Sequence, residues 1–306
     1  MPHLNRLGRR NFIGLGMAGG LSLFNNPDTL AALEVQHRDR PGRAKNVLVI
    51  LEQGGMSHTD TWDPKPDTLT SQLSPYKPIS TTVPGMQFTE LLPHTAKVAD
   101  KLSVIRSMHH TTGIANGHPK GTQYTLSGHV PGGPLEMPDM GSVVAHRMSS
   151  NCGYLSPYIM APGNSEQAKE SRLGFMPYDT QVFKTGGRDL SEPGWKVPGL
   201  VLNEAIGEPR LRNRLNLLGN LDVGLPNNHS RKAQGWQKAI EQAEESLFNP
   251  NSKIAFDLEQ ESNKTRDTYG RGHRGQCYLL GRRLIEQEVR FVTIDVREPL
   301  TSKTPG

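Results

Sequence analysis

The stretch Val47-Leu48-Val49-Ile50-Leu51 is apolar at every position and rich in β-branched residues, and Gly54-Gly55 follows it closely. A continuous run of this kind is typical of a strand that is buried on both faces of a parallel sheet. In α/β proteins, the residues directly after such a strand lie at the sheet edge where ligands bind. The stretch therefore predicts an α/β fold with a candidate site just after Leu51.

Three further runs have strand character: Leu102–Ile105, Tyr158–Ala161 and Val289–Val296. Helical periodicity lies between the last two of them. The apolar positions of these helices are Leu211, Leu215 and Leu218, then Ala233, Trp236, Ile240, Ala243 and Leu247, and then Cys277, Leu280, Leu284 and Ile285. This alternation predicts a doubly wound, mostly parallel sheet with helices on both faces.

The run Val289–Val296 is followed by only ten residues, Arg297–Gly306, which are mostly polar. Two interpretations are open. Either this run is an edge strand, or the chain is the N-terminal part of a longer domain. We expect the second, with a sheet that is incomplete at its C-terminal end.

Composition restricts the class of protein. A chain of 306 residues with 34% hydrophobic side chains can bury a substantial core, and its 32 Gly and 23 Pro indicate long connecting loops. Its formal charge of +5 comes from basic residues that mostly alternate with acidic ones, and only 6% of the residues are aromatic. Nucleic-acid binding is therefore not expected.

The N-terminus carries Gly8-Arg9-Arg10-Asn11-Phe12-Ile13, an arginine pair directly before an apolar, Gly-rich stretch that is too short to span a bilayer. This pattern is typical of a twin-arginine signal, and the alternative is a buried amphipathic helix. We expect a signal segment at residues 1–32, a linker at 33–45 and an α/β domain at 46–306. The export machinery would then be a partner, the location periplasmic or extracellular, and no span would remain after signal removal.

Two cysteines, Cys152 and Cys277, could form at most one disulfide. The other interpretation is a pair of partly buried thiols that pack as small apolar groups.

Polar residues that could carry chemistry are concentrated in two segments. In Gly54–Pro66, Ser57, His58, Asp60 and Asp63 lie close together, as carboxylate and imidazole ligands of a divalent cation would. The same residues also suit turns and helix caps, and both interpretations stay open.

The second segment is a loop rich in Gly and hydroxyl side chains with four histidines, His109, His110, His118 and His129. Neutral imidazoles bind transition metals or relay protons. The alternative is that they satisfy loop carbonyls.

Several phrases resemble the exported, sulfatase-like family called domain of unknown function fifteen-oh-one. They are the leader, Gly54–Pro66, Leu91-Leu92-Pro93, the loop ending in Leu126-Ser127-Gly128, Tyr269-Gly270-Arg271 and Val289–Thr293. The resemblance implies an alkaline-phosphatase-like fold that binds a divalent metal ion, either calcium, zinc or manganese. It also implies hydrolysis of sulfate or phosphate esters, whether small molecules or polysaccharides.

The same resemblance implies roles for particular residues. Asp60, His58 and His118 would be metal ligands, and His118, Thr122 and His109 would be catalytic. The chain departs from sulfatases, since His118 occupies the position of the Cys or Ser nucleophile and Thr122 that of an arginine. The family also continues past the last strand with a Trp-Asp-Thr-His segment. We therefore expect a hydrolase that is incomplete or inactive, and the alternative is a non-catalytic exported binding or scaffolding protein on the same fold.

Overall fold

The computed structural model describes residues 44–52, 55–67, 74–109, 113–148, 153–163, 167–186, 189–202, 205–223 and 231–296. The signal segment, residues 33–43 of the linker and Arg297–Gly306 lie outside the described residues, so the predictions about them stay predictions. Cys152 also lies outside.

The regular elements follow one another along the chain in a mixed α/β order. The strands are β1 (Val47–Glu52), β2 (Pro78–Ser80), β3 (Gln87–Thr89), β4 (Tyr158–Ala161), β5 (Phe183–Lys184) and β6 (Phe291–Val296). The helices are α1 (Pro93–Ala96), α2 (His118–Ser127), α3 (Met140–Arg147), α4 (Gly207–Val223), α5 (Arg231–Phe248), α6 (Pro250–Phe256), α7 (Asn263–Tyr269) and α8 (His273–Glu286). Short 3-10 turns include Ala99–Lys101 and Gln167–Glu170.

The central sheet has four parallel strands in the order β1, β6, β4, β5. β6 is hydrogen-bonded to β1 on one side and to β4 on the other, with Phe291 opposite both Val47 and Tyr158. The prediction of an α/β fold with a mostly parallel sheet is confirmed. The alternative in which Val289–Val296 forms an edge strand is wrong, because β6 is paired on both sides and buried along its whole length.

Two strand predictions fail. Within the described sheet β1 is an edge strand, with Val47, Leu48 and Ile50 37%, 40% and 48% exposed, so its expected burial on both faces is wrong. The run Leu102–Ile105 forms no strand. It follows the turn Ala99–Lys101 along the surface, and Ile105 is 69% exposed.

Helices cover both faces of the sheet, as predicted. On one face Leu279, Leu280 and Leu284 of α8 pack against Val292 and Ile294 of β6. Each such fully buried aliphatic side chain contributes about 1.5–3 kcal/mol to folding. This packing explains why the periodicity that predicted α8 was right, as it was for α4 and α5.

On the opposite face Leu126 of α2 and Ala145 of α3 pack against Tyr158 and Phe291, whose rings meet edge to face at 5.3 Å. The segment around His118 was expected to be a loop, and that expectation is wrong for His118–Ser127, which forms α2. The helix ends at Gly128, whose φ of 71° is the left-handed conformation common after a helix.

A smaller core lies outside the sheet. It is centred on Phe88, Ala96 and Ala99, with Trp62 packed against them. The rings of Trp62 and Phe88 meet edge to face at 5.2 Å, and the Thr89 N–H donates to the Thr61 carbonyl at 2.9 Å. These contacts attach the loop that follows β1 to the antiparallel β2–β3 pair.

No helix in the described part of the chain is both long enough and apolar enough to cross a membrane.

The first prediction concerns Gly141, where α3 lies directly on the sheet. A Cβ at this position would lie 2.4 Å from Cζ of Tyr158, a ring that is fully buried and cannot retreat. We expect Gly141→Ala to lower the free energy of unfolding by about 1–3 kcal/mol, measured by urea titration. Gly219→Ala, in α4 where a Cβ meets open space, is the control and should raise it by about 0.5–1 kcal/mol. Equal effects of the two changes would contradict the packing of α3 on β4.

The second prediction concerns Glu261, which accepts hydrogen bonds from Arg283 at 2.6 Å and Arg282 at 3.0 Å. Burial raises the pKa of Glu261, but the hydrogen bonds and charges of both arginines outweigh it, so the net pKa is lowered. A lowered folded-state pKa stabilises the protein above the ordinary pKa of glutamate, about 4.3, and this contribution is lost as the pH falls through the folded-state value.

Accordingly, Glu261→Gln should lower the free energy of unfolding by about 1–3 kcal/mol at pH 7, and the difference should vanish under acidic conditions. Urea titrations at several pH values measure it. Glu286→Gln is the control, because Glu286 is 57% exposed and its ion pair is with Arg282 of the same helix, where a pair is worth about 0.3–0.5 kcal/mol. A loss that does not depend on pH would show that the charge of Glu261 is not the cause.

Candidate functional site

Two of the predicted site residues after β1, His58 and Asp63, line a groove of about 720 Å³. Two segments form it: the loop that follows β1, and the run that follows the turn Ala99–Lys101. The residues that line it are His58, Trp62, Asp63 and Leu102–His109. The sequence predicted one site after Leu51 and a second cluster of polar residues that begins at His109. In the structure, His109 lines the same groove as His58 and Asp63.

Asp63 is the charged centre of this groove and is only 7% exposed. Its backbone N–H donates to the His58 carbonyl at 2.9 Å, which closes the loop and turns both side chains toward each other. Its carboxylate lies 3.3 Å from Lys65 Nζ, 3.5 Å from His58 Nδ1 and 3.6 Å from Arg106 Nε. One carboxylate therefore holds three basic side chains in place.

The charges of this cluster do not cancel. Lys65 and Arg106 are both cationic at neutral pH, and they share the single negative charge of Asp63. Lys65 is 52% and Arg106 37% exposed, so both remain open to solvent and to a ligand. A surplus of positive charge around a half-open groove attracts an anion, and arginine is well suited to planar or tetrahedral oxyanions.

His109 faces the same groove in a defined tautomer. Its Nδ1 lies 3.0 Å from the Ser107 carbonyl, and because a carbonyl oxygen can only accept, Nδ1 carries the proton. In the neutral ring Nε2 is then an acceptor, which can take a proton or bind a metal ion. His129 has the same arrangement, with Nδ1 2.9 Å from the Ser127 carbonyl.

Asp60 acts within its own loop. Its carboxylate accepts a hydrogen bond from Ser74 Oγ at 2.6 Å, its carbonyl accepts one from Thr89 Oγ1 at 2.5 Å, and its N–H donates to Ser57 Oγ at 3.3 Å. These contacts are those of a turn residue. They favour the turn interpretation of Asp60 that the sequence left open beside the ligand interpretation.

His118 and Thr122 lie on α2, where His118 is the exposed first residue and Thr122 is half-buried. Neither belongs to the lining of the groove around Asp63. His110, one of the four histidines of the second segment, lies outside the described residues, so its predicted role stays a prediction.

Two of the residues predicted to bind a metal ion contact other side chains in the structure. Across the described ranges, no group of three His, Cys, Asp or Glu side chains is placed to hold a metal ion. His58 is directed to Asp63, and the carboxylate of Asp60 is engaged by Ser74. The predicted divalent metal ion therefore stays a prediction.

A second polar cluster, centred on Asp139, lies on the α3 face of the sheet. Asp139 is 1% exposed and accepts hydrogen bonds from Ser171 Oγ at 2.5 Å, the Arg172 N–H at 3.1 Å and Tyr158 OH at 3.4 Å. Burial raises the pKa of Asp139, although these hydrogen bonds and the charge of Lys184 oppose the rise.

Lys184, at the end of β5, belongs to the same cluster. Burial lowers its pKa, while the charges of Asp139 and Asp295 act in the opposite direction. Its ammonium group donates to the Ala168 carbonyl at 2.6 Å. A raised aspartate pKa next to a lowered lysine pKa occurs both in active sites and in structural networks. Here the hydrogen bonds tie α3, β4 and the turn at Gln167–Glu170 together, so the contacts support a structural role.

Cys277 is buried in α8, with Sγ 3.5 Å from Nε2 of the equally buried His273. The His273 Nδ1 accepts the Leu190 N–H at 3.0 Å. The thiol lies inside the core, which agrees with the interpretation of a packed side chain.

Sequence reasoning missed Arg106 and Asp139. A signal for Arg106 existed, since an arginine precedes the histidine cluster by three residues. No local pattern marks Asp139, whose partners come from segments about 20 to 45 residues away.

Comparison with known proteins identifies the family of the chain. A family model described as "Protein of unknown function (DUF1501)" matches residues 44–298, which is more than half of the chain. No curated protein and no solved structure matches this chain.

The third prediction tests whether Asp63 organises the groove. Asp63→Ala removes the shared partner of Lys65, Arg106 and His58, and it leaves like charges facing one another. We expect the free energy of unfolding to fall by about 1–3 kcal/mol in urea titrations. Asp67→Ala, an exposed aspartate of the same loop, is the control and should change it by less than about 0.5 kcal/mol. If both changes had equal effects, Asp63 would not be the centre of the cluster.

Proposed function

We propose that this chain, which belongs to the DUF1501 family of proteins of unknown function, is an exported sulfatase-like protein that binds sulfate or phosphate esters. The groove around Asp63 is the binding site in this proposal. The carrying observation is that Lys65, Arg106 and His58 converge on one buried carboxylate, with His109 lining the same groove. The wider superfamily assignment to alkaline phosphatases is part of the proposal.

The position of the groove in the fold supports this proposal. In a sheet of parallel strands ligands bind beyond the carboxyl ends, and one of the two segments that form the groove is the loop that follows β1 at that end. The twin-arginine leader supports export, which would place the protein in the periplasm or outside the cell.

Each basic residue has a role in the proposed binding. Arg106 and Lys65 would hold the oxyanion, because hydrogen bonds between charged partners are the stronger kind. Asp63 would keep both in place and would orient His58 through the contact at Nδ1. A bound ester would then meet Nε2 of His58 and Nε2 of His109.

Hydrolysis is the proposed activity, and these two imidazoles are the groups that could transfer protons. A histidine that faces the leaving oxygen can act as general acid, and one that faces the attacking water can act as general base. The family resemblance implies a divalent metal ion, which would act as a Lewis acid. Proton transfer is the part of the reaction that His58 and His109 would perform.

A second candidate function is a non-catalytic binding protein on the same fold. Two observations favour it. The carboxylate of Asp60 accepts a hydrogen bond from Ser74. His118, at the expected nucleophile position, is the exposed first residue of α2. Both candidates need the same anion-binding groove, and they differ only in turnover.

The fourth prediction separates these possibilities with purified protein. We expect 4-nitrophenyl sulfate or 4-nitrophenyl phosphate to bind in isothermal titration calorimetry, and Arg106→Gln and Lys65→Gln each to weaken that binding about tenfold or more. Arg214→Gln, an exposed arginine of α4, is the control and should bind normally. Thermal unfolding of each variant shows whether it is folded.

Release of nitrophenol, measured with and without added calcium, zinc or manganese, then distinguishes the hydrolase from the binding protein. If neither ester binds to the folded wild-type chain, both candidates are wrong. If the esters bind equally well to wild type, Arg106→Gln and Lys65→Gln, the site is elsewhere.

A further inference from the structure

The segment Leu102–Met108, which forms one wall of the groove, carries several exposed apolar side chains. Ile105 and Met108 are 69% and 78% exposed, and Leu102 is 38% exposed. All three line the groove together with Val104 and Trp62. Large apolar side chains that are exposed next to one another in a concave surface mark a binding site more often than chance placement does.

The residues on either side of Ile105 are held by contacts with the rest of the protein, so the exposure of Ile105 has a structural cause. Val104 packs in the small core with Phe88, and the Arg106 guanidinium donates to the Gln87 carbonyl at 3.0 Å. These two anchors fix the backbone of the run. Ile105 lies between them and is directed to solvent, where its exposed surface carries a hydration cost of about 25 cal/mol per Å².

Charge and apolar surface alternate along the same short segment. Arg106 reaches Asp63 at 3.6 Å, while Ile105 and Met108 flank it in sequence. A ligand that fits both features has an anionic group and an apolar body. The volume of about 720 Å³ is that of a site for a molecule of moderate size, and the flexible Met108 side chain can adapt to its shape.

A sulfated sugar fits this wall less well. Each sugar hydroxyl that leaves water needs a hydrogen-bond partner, and an unpaired one costs about 1–3 kcal/mol. On the segment Leu102–Met108 the polar side chains available besides Arg106 are those of Ser103 and Ser107. Trp62 is half-buried and engaged with Phe88, so its ring is committed to the core.

We infer that the groove selects sulfate or phosphate monoesters of apolar alcohols or phenols, with the ester group at Arg106 and Lys65 and the apolar group on Ile105 and Met108. This rests on the proposed function, since it requires the groove to bind esters. It narrows that function by choosing small amphipathic esters over sulfated polysaccharides.

Calorimetry with four ligands tests the inference: decyl sulfate below its micelle concentration, 4-nitrophenyl sulfate, glucose 6-sulfate and inorganic sulfate. Decyl and nitrophenyl sulfate should bind at least about tenfold more tightly than the other two, because burying the apolar area of a few methylenes or of an aromatic ring is worth that much. The double variant Ile105→Ser/Met108→Ser should lose this preference and keep its affinity for inorganic sulfate. Leu217→Ser, a 60% exposed leucine of α4, is the control and should keep both.

Three results would overturn the inference, and they are distinguishable. If glucose 6-sulfate binds as tightly as decyl sulfate, the apolar wall does not favour apolar esters over sulfated sugars. The proposed binding of esters would still stand. If no ester binds, the proposed function fails as well. If the protein binds phosphatidylserine vesicles but no monomeric ester, the exposed wall serves a membrane surface instead.

Discussion

The pairing of β6 on both sides is the constraint on which the rest of this structure depends. The backbone N–H and C=O groups of a buried strand must find partners, and those of β6 find them in β1 and β4. Its alternate side chains then build two cores, one under α8 and one under α2 and α3. This single strand fixes the direction of β1 and so determines at which end of the sheet the loop after Glu52 emerges.

That loop becomes a site because a second anchor holds it. Trp62 and Thr61 attach it to Phe88 and Thr89, and the same small core holds Val104. The carboxylate of Asp63 and the guanidinium of Arg106 therefore meet although they are far apart in the sequence. A buried carboxylate with cationic neighbours keeps them in place before a ligand arrives, which reduces the ordering cost of binding an anion.

The sequence predicted three strands of the sheet and the three longest helices of the described residues, and the failures have physical causes. The apolar pattern of a segment reflects which of its residues are buried. For this reason the sequence predicted β4, β6, α4, α5 and α8. Leu102–Ile105 has the composition of a strand, but the anchors at Val104 and Arg106 hold it along the groove. β1 resembles a doubly buried strand, yet Leu48 and Ile50 are exposed in the described sheet, since burial depends on neighbours that local composition does not specify. In the candidate site, residue type drew attention to His58 and His109, whereas Arg106 is brought to Asp63 by tertiary contacts that no local pattern shows.

The central claim is that an oxyanion occupies the groove beside Asp63. The most direct measurement is a crystal structure of the protein with selenate, an analogue of sulfate whose selenium is located by anomalous scattering. The account predicts a selenium peak with its oxygens within hydrogen-bonding distance of Arg106 and Lys65. A peak only at the Lys184 cluster or beside His118, with the groove holding water alone, would contradict it.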